Sequence, residues 1–132
     1  MYNWHKRYLE IARHVATWSK DPDAKVGAVI ADKNRRVVAL GFNGFPVGIE
    51  DRADRYGGNQ KLDMVVHAEE NAILIAGRSA EGGTIYVHGK PVCSRCAGLI
   101  IQAVIKTVVA SQPNDPDSKW YNTGLIAKQM VE

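Results

Sequence analysis

His67 and Glu69 stand two positions apart in this chain, and Cys93 and Cys96 stand three apart further along. One neutral imidazole and two thiolates are three of the four ligands of a tetrahedral zinc ion, and the vacant position takes water. Zinc brings the pKa of that water toward neutrality, and a carboxylate that does not bind the metal can carry its proton. The residue types therefore point to hydrolysis, with His67, Cys93 and Cys96 holding one zinc ion per chain and Glu69 shuttling protons. A closed, structural zinc site would need four protein ligands. No fourth stands at a zinc-like spacing, although His88 is close in sequence to Cys93.

Side chains two apart on a regular helix point to nearly opposite faces. His67 and Glu69 can share a site only at a helix N-terminus, where side chains lean back toward the opening. Cys93 and Cys96 fall on one face of a single turn. Both segments are thus expected to open helices, so that two positive helix ends converge and favour thiolate over thiol. The rest of the chain supplies the frame. Trp4, Tyr8, Ile11, Val15 and Trp18 recur at helical spacing and predict a core-facing stripe on a helix over 3–19, stopped by Asp21-Pro22-Asp23. Strands over 26–31 and 35–42 flank the turn Asp32-Lys33-Asn34 as an antiparallel hairpin. A polar loop over 48–60 precedes a helix over 64–77, a strand over 84–88, a helix over 93–103 and a strand over 106–110. A loop over 111–117 and a weaker helix over 118–131 follow. Alternation in the second half implies parallel pairing, hence a three-layer α/β/α sandwich around a mixed sheet of four to five strands.

At 132 residues, with 45% hydrophobic and 23% charged side chains, the chain reads as a single domain over 1–132. Its net charge of +3 is scattered rather than clustered, which argues against nucleic acid and leaves a phosphorylated small molecule open. Lys25, Arg52 and Arg55 are read as surface charges before phosphate contacts, and Trp120 and Tyr121 as packing or subunit contacts. Two cysteines at metal-like spacing, no apolar signal core and no run of membrane-spanning length make a cytoplasmic protein the expectation, with no membrane partner.

H-x-E followed by a C-x-x-C pair is the signature of zinc-dependent base deaminases. From about Ser19 to Val109 the chain resembles the deoxycytidylate (dCMP) deaminases of the zinc-dependent cytidine deaminase superfamily. The resemblance lies in 20–28, in Gly41-Phe42-Asn43-Gly44-Phe45-Pro46, and in His67-Ala68-Glu69-Glu70-Asn71-Ala72-Ile73. It continues through Cys96-Ala97 and 99–106, and Asn71 sets the chain apart from tRNA adenosine and guanine deaminases. It implies a cytidine deaminase-like fold and hydrolysis of dCMP to dUMP and ammonia, hydroxide on zinc attacking C4 with Glu69 as proton shuttle. It further implies that Asn43 bonds the sugar, that Ala68 offers its backbone to the base edge, and that the chain forms a homo-oligomer, in related proteins a hexamer regulated by dCTP and dTTP. The family writes Pro-Cys-x-x-Cys, whereas Val92 here separates Pro91 from Cys93, so altered substrate choice is one expectation. Three other readings stand beside this one. The chain could deaminate cytidine, cytosine or a purine; it could act on a nucleic-acid base, at odds with its modest charge; or the zinc could be structural, which leaves Glu69 without a purpose.

Overall fold

The computed structural model describes residues 4–56, 60–110 and Met130. Helix α1 (Trp4–Ala16) is followed by strands β1 (Gly27–Ala31) and β2 (Val37–Phe42), short helices α2 (Ala53–Tyr56) and α3 (Gln60–Met64), and helix α4 (Ala68–Ala76). A 3₁₀ turn over Gly77–Ala80 leads to β3 (Thr84–His88), α5 (Ser94–Gln102) and β4 (Thr107–Val109). Among the described residues the sheet has four strands in the order β2-β1-β3-β4. β1 pairs antiparallel with both β2 and β3, and β3 pairs parallel with β4. This is the mixed sheet the sequence predicts.

β1 runs Gly-Ala-Val-Ile-Ala and is buried along its whole length, as befits a central strand covered on both faces. Its alternating residues part between two cores. Val29 and Ala31 pack with Tyr8, Ala12 and Tyr86 under α1. Ala28 and Ile30 pack with Ile85, Val87, Ala72, Ala97 and Ile100 under α4 and α5. Ile30, Ile85 and Ile100 are fully buried, and each such side chain stabilises the fold by about 1.5–3 kcal/mol. These are the three layers.

Two expectations are corrected here. The buried face of α1 is Tyr8, Ala12, Val15 and Ala16, whereas Trp4, Ile11 and Trp18 are 41%, 37% and 47% exposed. Small Ala12 and Ala16 let the helix lie close on the sheet, so the bulky residues at its flanks cover the edges: Trp4 against Tyr8, Trp18 edge-on to Phe42. The 48–60 stretch is also not plain loop, because it contains α2 and the start of α3. Helices of four and five residues have too little local propensity to be legible. Tertiary contacts hold α2, with Tyr56 buried and stacked on Phe45 at 4.5 Å. The 111–117 loop and the 118–131 helix lie outside the described residues, apart from helical Met130. No helix among the described residues is long and apolar enough to cross a membrane.

Candidate active site

α4 and α5 begin on the same side of the sheet, each at a residue of the sequence motif. His67 is the N-cap of α4 in extended conformation (φ −72°, ψ 154°), and Cys93 is the N-cap of α5 (φ −83°, ψ 167°). The predicted helix over 64–77 therefore starts four residues later than expected. Because His67 stands outside the helix and Glu69 inside its first turn, two side chains that a regular helix would separate share one site. Gly41 fixes how near α4 comes to β2: a Cβ there would lie 2.4 Å from the Ala68 carbonyl oxygen. Upstream, Gly44 and Val66 pair as an isolated antiparallel bridge, which aims the backbone into His67.

The donor atoms of His67, Cys93 and Cys96 all lie within 4.8 Å of one another. His67 Nδ1 is 3.3 Å from Cys96 Sγ and 3.4 Å from Cys93 Sγ. A tetrahedron with metal–ligand bonds of about 2.0–2.3 Å has edges of roughly 3.3–3.8 Å, so these three groups fit a zinc ion. The three groups also set one another's proton affinities. A hydrogen bond from the Cys96 thiol holds Cys93 down at about 4, and the same bond together with burial pushes Cys96 up. The hydrogen bond with Cys93 raises the His67 imidazole. The cluster thus retains protons that a metal ion would displace.

Glu69 is 4% exposed. Burial pushes its carboxyl up to about 7, against the hydrogen bonds from its own backbone N–H and from Cys96. A cleft of about 170 Å³ opens over these groups; Glu69, His67 and Cys93 line it, as do Ala68 and Asn43. All six residues singled out in the sequence are therefore adjacent, with Cys96 buried behind the cleft wall. Asn43 is almost fully committed: its amide donates to the Ala24 carbonyl at 2.9 Å and to Asp21 Oδ2 at 3.4 Å, and Oδ1 accepts from Val26 N at 2.9 Å. One lone pair on Oδ1 is left.

Three residues of the site escaped the sequence reading. Glu70, read as a solvated residue, accepts the His67 backbone N–H and an Arg95 N–H on one oxygen, both at 2.9 Å, and so ties the two helix openings together. A carboxylate three residues after an N-cap is a capping-box signal that would have found it. Buried Asp21 and half-buried Lys61 form an ion pair at 2.9 Å on the cleft wall, and forty residues of separation leave no local signal. Lys25 and Arg52 are exposed and bonded to the Ser19 carbonyl and Asp54, whereas Arg55, bonded to the Glu50 carbonyl, is half-buried, its Nε enclosed without a hydrogen-bond partner among the described residues. Trp120 and Tyr121 lie outside the described residues.

Residues 2–112 match the sequence model of the cytidine and deoxycytidylate deaminase zinc-binding region. The chain belongs to that family. It is 47% identical over 128 residues to an uncharacterized deaminase in the luxG 3′ region of Aliivibrio fischeri, covering 96% of this chain and 86% of that one. It is 38% identical to the deoxycytidylate deaminase of Homo sapiens, over 87% of this chain and 68% of that one. Its fold is similar to a crystal structure of dCMP deaminase from the cyanophage S-TIM5 in complex with dCMP and dUMP, with a TM-score of 0.72 at 23% identity over 96% and 90% of the two chains. The loop that leads into Cys93 is shaped by a glycine. Gly89 turns with φ 120°, and a Cβ there would lie 2.3 Å from the Lys25 carbonyl oxygen. Val92 faces the core, while Lys90 and Pro91 line the cleft.

Proposed function

We propose that this protein hydrolyses dCMP to dUMP and ammonia, with His67, Cys93 and Cys96 holding one zinc ion per chain and Glu69 as the proton shuttle. The observation that carries this reading is a buried carboxyl beside three converging metal donors, two of which line one cleft with it. Bound zinc supplies the Lewis acidity that makes water nucleophilic near neutral pH. Glu69, with a carboxyl at about 7, takes a proton from the attacking water and delivers it to ring N3, and afterwards helps the C4 amine leave as ammonia. One water is consumed and the C4–N bond is broken, leaving the uracil carbonyl. The Ala68 backbone meets the base edge, and the spare lone pair of Asn43 Oδ1 accepts a sugar hydroxyl. The modest, scattered net charge of +3 favours a free nucleotide over a polynucleotide.

Family resemblance further supports a cytoplasmic homo-oligomer, a hexamer in related proteins, with dCTP and dTTP as effectors; exposed Leu74 and Ile75 on α4 offer apolar surface for assembly. A second reading, deamination of another free cytosine or purine compound, is favoured by Lys90 and Pro91 of the lengthened loop on the cleft wall. The test is ammonia release by zinc-loaded protein across dCMP, CMP, deoxycytidine, cytosine, adenosine and guanine. Turnover is expected for dCMP above all. Turnover of another compound would move the specificity to the 88–92 loop, and silence on all six would overturn the reading.

A further inference from the structure

The proposed reaction has no use for Asp21, yet this carboxylate is 1% exposed and sits on the cleft wall. Its Oδ1 accepts from the backbone N–H groups of Asp23 at 2.9 Å and Ala24 at 3.2 Å, and from Lys61 Nζ at 2.9 Å. Its Oδ2 accepts from Asn43 Nδ2 at 3.4 Å. Its own N–H donates to Ser19 Oγ, whose hydroxyl donates to the Asn43 carbonyl at 2.8 Å. Lys61 also reaches Asp23 Oδ2 at 3.2 Å, and its carbonyl accepts from Val65 N, one residue before the bridge to Gly44.

An isolated buried carboxylate is costly, and a turn staple alone would be met by a neutral Asn or Ser. What the charge adds is Lys61, and with it a closed ring. Asp21 fixes the turn that presents the Ala24 carbonyl to Asn43, and itself takes an Asn43 amide hydrogen. Lys61 fastens this loop to the segment that runs into His67. We infer that Asp21 is a positioning residue that acts through Asn43, setting the orientation of the Asn43 amide and its distance from the metal donors. The inference rests on the proposed role of Asn43 toward the sugar.

The test is a double-mutant cycle read as KM and kcat on dCMP, with zinc content measured alongside. Asp21→Asn is expected to raise KM roughly ten-fold, the worth of one buried hydrogen bond. Its kcat should stay within about three-fold of the parent and its zinc content should be unchanged. In an Asn43→Ala background the same change is expected to alter KM less than about two-fold. Effects that multiply, or a loss confined to kcat, would overturn the inference. Should Asp21→Asn fail to fold, Lys61→Gln is expected to give a smaller KM rise that also vanishes in the Asn43→Ala background, and multiplication there would overturn it equally. A zinc-loaded parent silent on dCMP overturns the proposed function and this inference together, an outcome distinct from an active parent with multiplying variants.

Discussion

The two walls of the cleft are built by opposite means. The metal wall is local: two short motifs each open a helix, and each motif's own spacing decides where its side chains fall. The opposite wall is assembled from three distant segments, 19–26, 43–44 and 61–66, joined by the Asp21–Lys61 ion pair, an isolated bridge and one asparagine amide. Groups of the first kind are fixed by backbone geometry within one turn. Groups of the second kind depend on every partner being present, because each is buried and satisfied only by the others. On the proposed function, the comparison assigns the chemistry to the rigid local wall and substrate fit to the cooperative one.

The sharpest break in the comparison is Glu69→Ala. It is expected to leave zinc bound and lower kcat by about 10²–10⁴-fold or more, the share general acid–base catalysis supplies, as read from ammonia release and metal analysis. Next is Cys96→Ala, which takes away a fully buried donor. Zinc stoichiometry should fall toward zero, and several kcal/mol of metal-linked stability should go with it, visible in the thermal midpoint.

Lys61→Met tests the cooperative wall. It leaves Asp21 buried without its counter-charge, at a cost of about 3 kcal/mol in urea unfolding at pH 7, the low end for such pairs because Asp21 keeps three other donors. The pH dependence has a definite sign. Burial alone would raise the Asp21 carboxyl, but the hydrogen bond from Lys61 and the backbone N–H groups outweigh it and hold it below 3.8. Asp21 therefore stabilises the fold above its unfolded pKa, and this contribution is lost as pH falls through its lower folded pKa. Burial likewise opposes, and Asp21 and Asp23 prevail in raising Lys61 above 10.5. Its contribution is complete below 10.5 and is lost as pH rises through the folded value. The gap between parent and Lys61→Met should accordingly narrow in acid, once the carboxyl is protonated in both. A gap that is constant down to pH 2 would break the account.

The smallest effect is expected of Arg95→Ala. Arg95 is largely exposed in its pair with Glu70, and such pairs contribute about 0–1 kcal/mol. Glu70 keeps the His67 backbone N–H, so zinc content should not change.

How much was legible follows the same division. His67, Glu69, Cys93 and Cys96 could be grouped from spacing alone, because three donors and a carboxylate at two helix openings leave few other geometries. β1 and β3, as short β-rich runs, and the hairpin at Asp32, from its turn residues, were likewise readable. The aromatic stripe of α1 misled, since hydrophobic spacing marks a face but not how closely the helix packs; Ala12 and Ala16, small and unremarked, decided that. Glu70 was within reach through its N-cap offset, while Asp21 and Lys61 carried no sign of each other.

By itself, then, the sequence determined the grouping of His67, Glu69, Cys93 and Cys96 at two helix openings, the layered mixed sheet and the hairpin, because each is set by residue spacing, by the order of elements or by turn residues. Only the tertiary structure decided which face of α1 is buried, how Gly89 and Val92 seat the loop before Cys93, and how Asp21, Asn43 and Lys61 close the far wall. These are contacts between segments tens of residues apart, where burial and charge pairing select the partner and no local pattern records the choice.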